Sequence, residues 1–265
     1  MTNLPGKWVD VPVGRILREA TGLEAHLIND VRAFTVAEHA IGAAKGADTA
    51  ACFAVGTGIG GGLVAHGRVV FGLGGSAGEL GHQIVLTDGP RCTCGNRGCA
   101  EPLASGPGIV GEAVRRMLQG FTTTLWDLAE GDLRQVTPGL IAQAAAGGDD
   151  AATETLERSG YFLGLAVAGT IASVAPEVVV VGGGVAQEAG PIFWRSMEET
   201  ARAHSHVTAI DRIAIKPAAL GYDAGVIGAA LWGRTKSEVG GRRSEVGGRR
   251  SEVGSRFLVG GEEGG

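Results

Sequence analysis

The chain has 265 residues, 44% hydrophobic and 19% charged, which is enough to bury a real core in one large domain or two small ones. The net charge is −5, and the last 33 residues carry seven basic against five acidic groups, so the body before Gly233 stands at about −7. That balance argues against a nucleic-acid-coating surface. The sequence shows no signal-peptide pattern and no uncharged apolar run long enough to span a bilayer, which points to a cytoplasmic protein without a membrane partner.

A Pro5-Gly6 turn leads into a short amphipathic helix around residues 13–20. Residues 25–28 read as a strand ending in Asn29-Asp30, followed by a helix from 31 to about 44 with Phe34, Ala37 and Ile41 on one face. An acid between strand and helix serves in α/β folds as a ligand or catalytic group, and it also serves as a helix N-cap. Residues 51–55 predict a buried strand running into Gly56-Thr57-Gly58-Ile59-Gly60-Gly61-Gly62. Those glycines free successive amides to approach phosphate oxygens, or they make a glycine-rich hairpin; no Walker or Rossmann pattern is present.

A short strand at 69–71 precedes the stretch from Gly78 to Glu101, GELGHQIVLTDGPRCTCGNRGCAE. Cys92, Cys94 and Cys99 crowd into eight residues with His82 upstream, while Cys52 is the only cysteine elsewhere. Three thiolates and an imidazole suit a tetrahedral zinc ion, and Gly89, Gly95 and Gly98 supply the turns to wrap them around it. Clustered thiols of this kind fit a reducing compartment. Glu79 and Glu101 bracket the loop, either as solvated surface charge or as rigid acceptors for several hydroxyls.

Further on, helices are expected at 108–119, in two pieces within 121–150, and from Asp149-Asp150 to about 173; the last is apolar on most sides and therefore central. Residues 177–181 form the clearest core strand and deliver Gly182-Gly183-Gly184 to a helix around 188–202, either against a nucleotide or as a plain tight turn. A strand at 213–215 and a helix from 224 to 232 follow. Beyond Gly233, Ser-Glu-Val-Gly-Gly-Arg-Arg occurs at 237–243 and 244–250 and degenerates at 251–257, a glycine-rich repeat expected to be a disordered, solvated tail.

GELGH, CTCGNRGCAE and the following Ala-Ser-Gly resemble the signature of the ROK family (repressors, open reading frames and sugar kinases), with matching spacing from histidine to each cysteine; the resemblance covers about residues 3–232. It implies an α/β protein of the actin-like ATPase or hexokinase type, a ribonuclease H-like fold, comprising a partial N-terminal lobe and a C-terminal lobe. The corresponding division is 1–45, a remnant of the N-terminal lobe; 46–232, the sugar- and nucleotide-binding lobe; and 233–265, the tail.

By the same resemblance His82, Cys92, Cys94 and Cys99 bind zinc, and Asn29, Glu79, His82 and Glu101 contact the sugar. Asp30, in a segment continuing to Glu38, is the general base. Gly56, Thr57 and Gly58 meet phosphate, and Gly183 and Gly184 meet adenosine. Arg32 stands where many members have asparagine, a difference that bears on sugar preference. The implied reaction is ATP- and Mg²⁺-dependent phosphorylation of a hexose, glucose first. N-acetylmannosamine, N-acetylglucosamine and fructose remain open, and a homodimer is possible.

The segment Asn3-Leu4-Pro5-Gly6 resembles one found roughly a hundred residues into ROK kinases. The family's opening Asp-x-Gly-x-Thr phosphate loop does not occur in these 265 residues. The expectation is a kinase lacking its opening strands, with two alternatives: a sugar-responsive transcription regulator, and an inactive sugar-binding remnant.

Overall fold

The computed structural model describes residues 11–206 and 209–245, the last ten by backbone alone. Five strands, β1 (Ala50–Val55), β2 (Ile59–Ala65), β3 (Arg68–Val69), β4 (Val178–Gly182) and β5 (Ala214–Pro217), form one sheet in the order β3-β2-β1-β4-β5. β1 and β2, and β2 and β3, pair antiparallel, whereas β4 is parallel to β1 and β5 to β4. Two successive hairpins followed by parallel crossovers give the mixed sheet of the expected ribonuclease H-like architecture. The helices are α1 (Val13–Thr21), α2 (Asp30–Ala40), α3 (Glu101–Ala104), α4 (Gly106–Leu118), α5 (Leu125–Leu128), α6 (Pro138–Ala146), α7 (Asp150–Val174), α8 (Gly184–Glu188), α9 (Gly190–Ala203) and α10 (Ala224–Glu245).

Period-two alternation in β1 and β4 sorts their side chains into two cores. Ala51, Phe53, Val55, Val179 and Val181 join the larger core with Ile109, Met117, Ile141, Leu163, Val167 and Phe193 from α4, α6, α7 and α9. Ala50, Cys52, Val178 and Val180 face the other way, under Phe34 and Ala37 of α2 and Ala224 of α10. Burial pushes the Cys52 thiol up to about 12, so this cysteine behaves as a small apolar residue. Gly160 and Gly164 of α7 lie so close to Phe193 and Met197 of α9 that a methyl on either would meet a carbonyl oxygen there. That near approach makes α7 the buried helix its composition predicts.

The contacts divide the chain into two units, Leu27–Trp232 and a second made of Met1–His26 with Gly233–Gly265. In the second, α1 closes on Gly22, which is left-handed and donates to the Arg18 carbonyl at 2.8 Å. Within the first unit α2 packs on β1 and β2.

Several local expectations shift. Residues 25–28 have no ladder partner among the described residues and form no strand. α2 stops at Ala40 rather than near 44, because the Glu38 carboxylate turns back onto the Ala43 amide at 2.7 Å. The segment expected as a strand at 69–71 is the two-residue β3, reached through His66 and Gly67, both with positive φ as a tight hairpin turn requires. The helix expected at 188–202 is two helices, α8 and α9, parted at left-handed Gly190. α10 runs on through Glu245, so the first repeat at 237–243 is helical in backbone; residues 246–265 lie outside the described ones.

The N-terminus of α7 concentrates polar satisfaction in one buried side chain. Asp149 caps the helix through the Ala152 amide at 2.9 Å and also accepts from the Thr123 hydroxyl (2.8 Å) and the Thr124 amide (2.6 Å) and hydroxyl (2.9 Å). Burial alone would raise its pKa; the bonds from Ala152, Thr123 and Thr124 outweigh that and hold the carboxyl below the usual range. A depressed carboxylate stabilises the fold above its unfolded pKa of about 3.9 and loses that contribution as pH falls through the lower folded value. We expect Asp149→Ala to lower unfolding free energy by about 2 kcal/mol at neutral pH, with the difference shrinking below about pH 3. Urea titrations across pH check this; a difference under about 0.5 kcal/mol at pH 7 would contradict it.

Candidate active site and metal centre

The β1–β2 connection is the hub. Gly56, Thr57 and Gly58 form it, with the Gly56 amide donating to the Gly58 carbonyl at 2.9 Å and Thr57 exposed at its tip. The amide of Gly106, at the start of α4, donates to the Gly56 carbonyl at 2.9 Å. The later glycines have a different reason. A methyl on Gly60 or Gly62 would collide with Val31 or Thr35 of α2, and one on Gly61 would collide with Leu80 and the Gly78 carbonyl. The run is therefore a short turn plus a bare stretch of strand, combining the loop and hairpin readings.

The N-terminus of α2 lands on this strand. Asn29 takes the capping role, its Oδ1 accepting from the Arg32 amide at 3.2 Å. Asp30 is thus the first helical residue and lies exposed, its Oδ1 accepting from the Asn29 Nδ2 and the Val31 amide, both at 2.9 Å. The far end of α2 is held by Glu38, which is fully buried. It accepts from the amides of Ala43 (2.7 Å), Leu220 (2.9 Å) and Ala219 (3.2 Å).

Glu79 opens a 3₁₀ turn, Leu80–His82, and accepts from Arg32 Nη2 at 3.1 Å. Glu101, at the start of α3, reaches the hub directly: its Oε2 accepts from the Ile59 amide at 3.0 Å. Its Oε1 faces the Thr93 hydroxyl at 3.4 Å and the Cys92 thiol at 3.8 Å. Asn29, Asp30, Glu79, His82 and Glu101 are thereby linked, through Arg32, the glycine strand and the cysteine loop, around one hairpin.

Between Glu79 and Glu101 the chain folds through left-handed Gly95 and Gly98; at Gly98 a Cβ would strike the Leu86 carbonyl. Gln83 docks the loop on α7 by donating to Thr170 at 3.0 Å. The ligating atoms of His82, Cys92, Cys94 and Cys99 all lie within 4.8 Å of one another. His82 Nδ1 is 3.4 Å from Cys92 Sγ, and Cys94 Sγ is 3.7 Å from Cys99 Sγ. Tetrahedral zinc with ordinary bond lengths requires separations of about 3.5 and 3.8 Å, which these two pairs match. Burial, then the neighbouring Cys94 and Cys92 thiols, push the Cys99 thiol up to about 12, whereas the Asn96 amide lowers that of Cys94.

A cavity of about 190 Å³ joins Asp30, Val31 and Phe34 to Gly183, Gly184, Gln187 and Tyr222. Gly183 is left-handed, and a side chain there would overlap the Val55 backbone, so this glycine is required by the β4–α8 turn itself. Gln83 and Tyr222 carry no motif, and nothing in the sequence marks them for the site. Glu38 is visible there only as part of a segment, without the bonds that define it.

The ROK family matches this chain over residues 2–236. A glucokinase of Thermotoga maritima is 36% identical over 233 residues, covering 86% of this chain and 71% of that protein. An N-acetylmannosamine kinase of Citrobacter koseri is 34% identical over 227 residues, covering 85% and 70%. The crystal structure of a ROK family glucokinase from Streptomyces griseus, in complex with glucose and AMPPNP, superposes with a TM-score of 0.78 at 30% identity, covering 86% of this chain and 74% of that one. With the hairpin, the carboxylates and the cysteine loop arranged as described, the chain belongs to the ROK family.

Proposed function

We propose that the protein is an ATP-dependent sugar kinase, with glucose as first substrate and N-acetylmannosamine as the second to test. The observation that carries this reading is the cavity shared by Asp30 and the Gly183-Gly184 turn, which would set a base beside a nucleotide. Asn29, Glu79, His82 and Glu101 would hold the sugar. Asp30 would accept the proton of the attacking hydroxyl as its oxygen bonds to the γ-phosphorus and the bond to the β–γ bridging oxygen breaks, releasing ADP. Gly56, Thr57 and Gly58 would meet the phosphates, whose charge Mg²⁺ neutralises when it accompanies ATP. The regulator reading rests on the same cysteine loop, and turnover separates the two.

Sugar-dependent ADP release by the 265-residue chain, across hexoses and N-acetylhexosamines with Mg-ATP, is the test. We expect turnover on glucose or N-acetylmannosamine and a fall in kcat of about 10²- to 10⁴-fold in Asp30→Asn. Turnover unaffected by that substitution would remove Asp30 as base. Absence of turnover on every sugar, from folded and metal-loaded protein, would overturn the kinase reading.

We also assign a structural zinc ion to His82, Cys92, Cys94 and Cys99, on the soft donor set and its separations. Zinc would stand outside the reaction and fix the loop that carries the sugar ligands. Metal analysis should give one zinc per chain, lost in Cys94→Ser together with at least about ten-fold in sugar affinity. Stoichiometric protein with no bound metal and three freely reactive thiols would refute the assignment.

A further inference from the structure

Arg32 is buried to 4% exposure, on the first turn of α2, two residues past Asp30. Its backbone amide donates to Asn29, while its side chain reaches the segment leading to the cysteine loop: Nη2 donates to the Ala77 carbonyl at 2.7 Å and to Glu79 Oε1 at 3.1 Å. Its Nε is buried without a hydrogen-bond partner. The Glu79 side chain, by contrast, is 53% exposed.

Burying a guanidinium costs free energy unless it is paired, and leaving one of its N–H groups unsatisfied costs more. An aliphatic side chain would fill the same space without that cost, so the charge itself has a use here. The carbonyl of Ala77 is a fixed anchor, because neighbouring Gly78 lies against the backbone of Gly61 and Gly62. From that anchor a planar guanidinium holds one oxygen of Glu79 in a set direction, as a shorter asparagine could not. Oε1 is thereby engaged, and Oε2 is the oxygen left to accept from a ligand. The same contact offsets one of the three carboxylates (Asp30, Glu79 and Glu101) gathered at the hairpin.

We infer that Arg32 is a positioning residue that sets Glu79 to read a single sugar hydroxyl, and so determines sugar specificity at that hydroxyl. The inference rests on the sugar-kinase reading and deepens it. It is independent of phosphoryl transfer, so binding alone tests it.

Calorimetric affinities for glucose and its monodeoxy analogues should be compared among the unsubstituted chain, Arg32→Met, Glu79→Gln and the double variant. In Glu79→Gln, deletion of one particular hydroxyl should cease to matter. Arg32→Met should flatten the response at that same hydroxyl, weaken glucose binding about ten-fold, and leave the responses at the other positions unchanged. The double variant should bind no more weakly than the weaker single one.

Uniform weakening towards every analogue, or additive losses in the double variant, would overturn the inference. Should Arg32→Met fail to fold in thermal melts, Arg32→Gln, which keeps a donor but removes the charge, must show the same position-specific flattening. If the unsubstituted chain bound no sugar, the reading beneath the inference would fail and the inference with it. If it bound sugar but the Arg32 variants matched it, only the inference would fail.

Discussion

The candidate site depends on a stretch of strand that has no side chains. Glycine inside a strand costs up to about 1 kcal/mol and packs nothing of its own, so three in succession at Gly60–Gly62 need a reason. The reason is distance. Val31 and Thr35 of α2 rest directly on Gly60 and Gly62, while Leu80 and the Gly78 carbonyl rest on Gly61. Any side chain on this strand would push away either the helix that carries Asp30 or the turn that carries Glu79 and His82. Backbone proximity, rather than a long hydrogen-bond chain, brings these groups together.

Proximity alone would leave α2 free to pivot, and Glu38 removes that freedom. A fully buried carboxylate is tolerable only when its charge is hydrogen-bonded, and the amides of Ala43, Ala219 and Leu220 supply the bonds. Two of these donors belong to the segment running into Gly221 and Tyr222, which line the cavity with Asp30. Capped by Asn29 at one end and clamped through Glu38 at the other, the helix holds Asp30 in register with the Gly183-Gly184 turn. This is the rigid support that the proposed role of Asp30 as base would need.

Much of this was legible in the sequence because it rests on local rules. The Cys92, Cys94, Cys99 and His82 spacing, the apolar α7 and the valine-rich β4 each declare themselves within a few residues. What was not legible depends on contacts far apart in the chain. Residues 25–28 have the composition of a strand but no ladder partner among the described residues. The glycines at 60–62 read equally as part of a phosphate loop or of a glycine-rich hairpin, because their neighbours, α2 and the 78–80 segment, lie outside any sequence window. Arg32 stood out as a departure from the family pattern, but only its folded position shows that it meets Glu79. Glu38 gave no signal of burial, since a glutamate late in a helix is usually solvated.

The loop between His82 and Glu101 raises a question that core packing does not answer. Its tip, with Arg91, Thr93, Gly95, Asn96 and Arg97 all exposed or half-buried, contributes little apolar area, and its path requires left-handed Gly95 and Gly98. Hydrophobic burial at about 25 cal/mol per Å² cannot hold such a segment, whereas binding of a structural zinc ion yields on the order of 10 kcal/mol. The proposed ion would therefore act on the tip of this loop, whose base is held by Gln83 on α7 and by Val85 and Leu86 against the core. Glu79 and Glu101 sit at the loop's two ends, so one ordering event would set both. Glycine packing seats both α2, which carries Asp30, and the turn that carries Glu79 and His82, while the proposed zinc would act on the loop beyond that turn. Arg32, whose side chain spans from the helix to the turn, is the direct link between them.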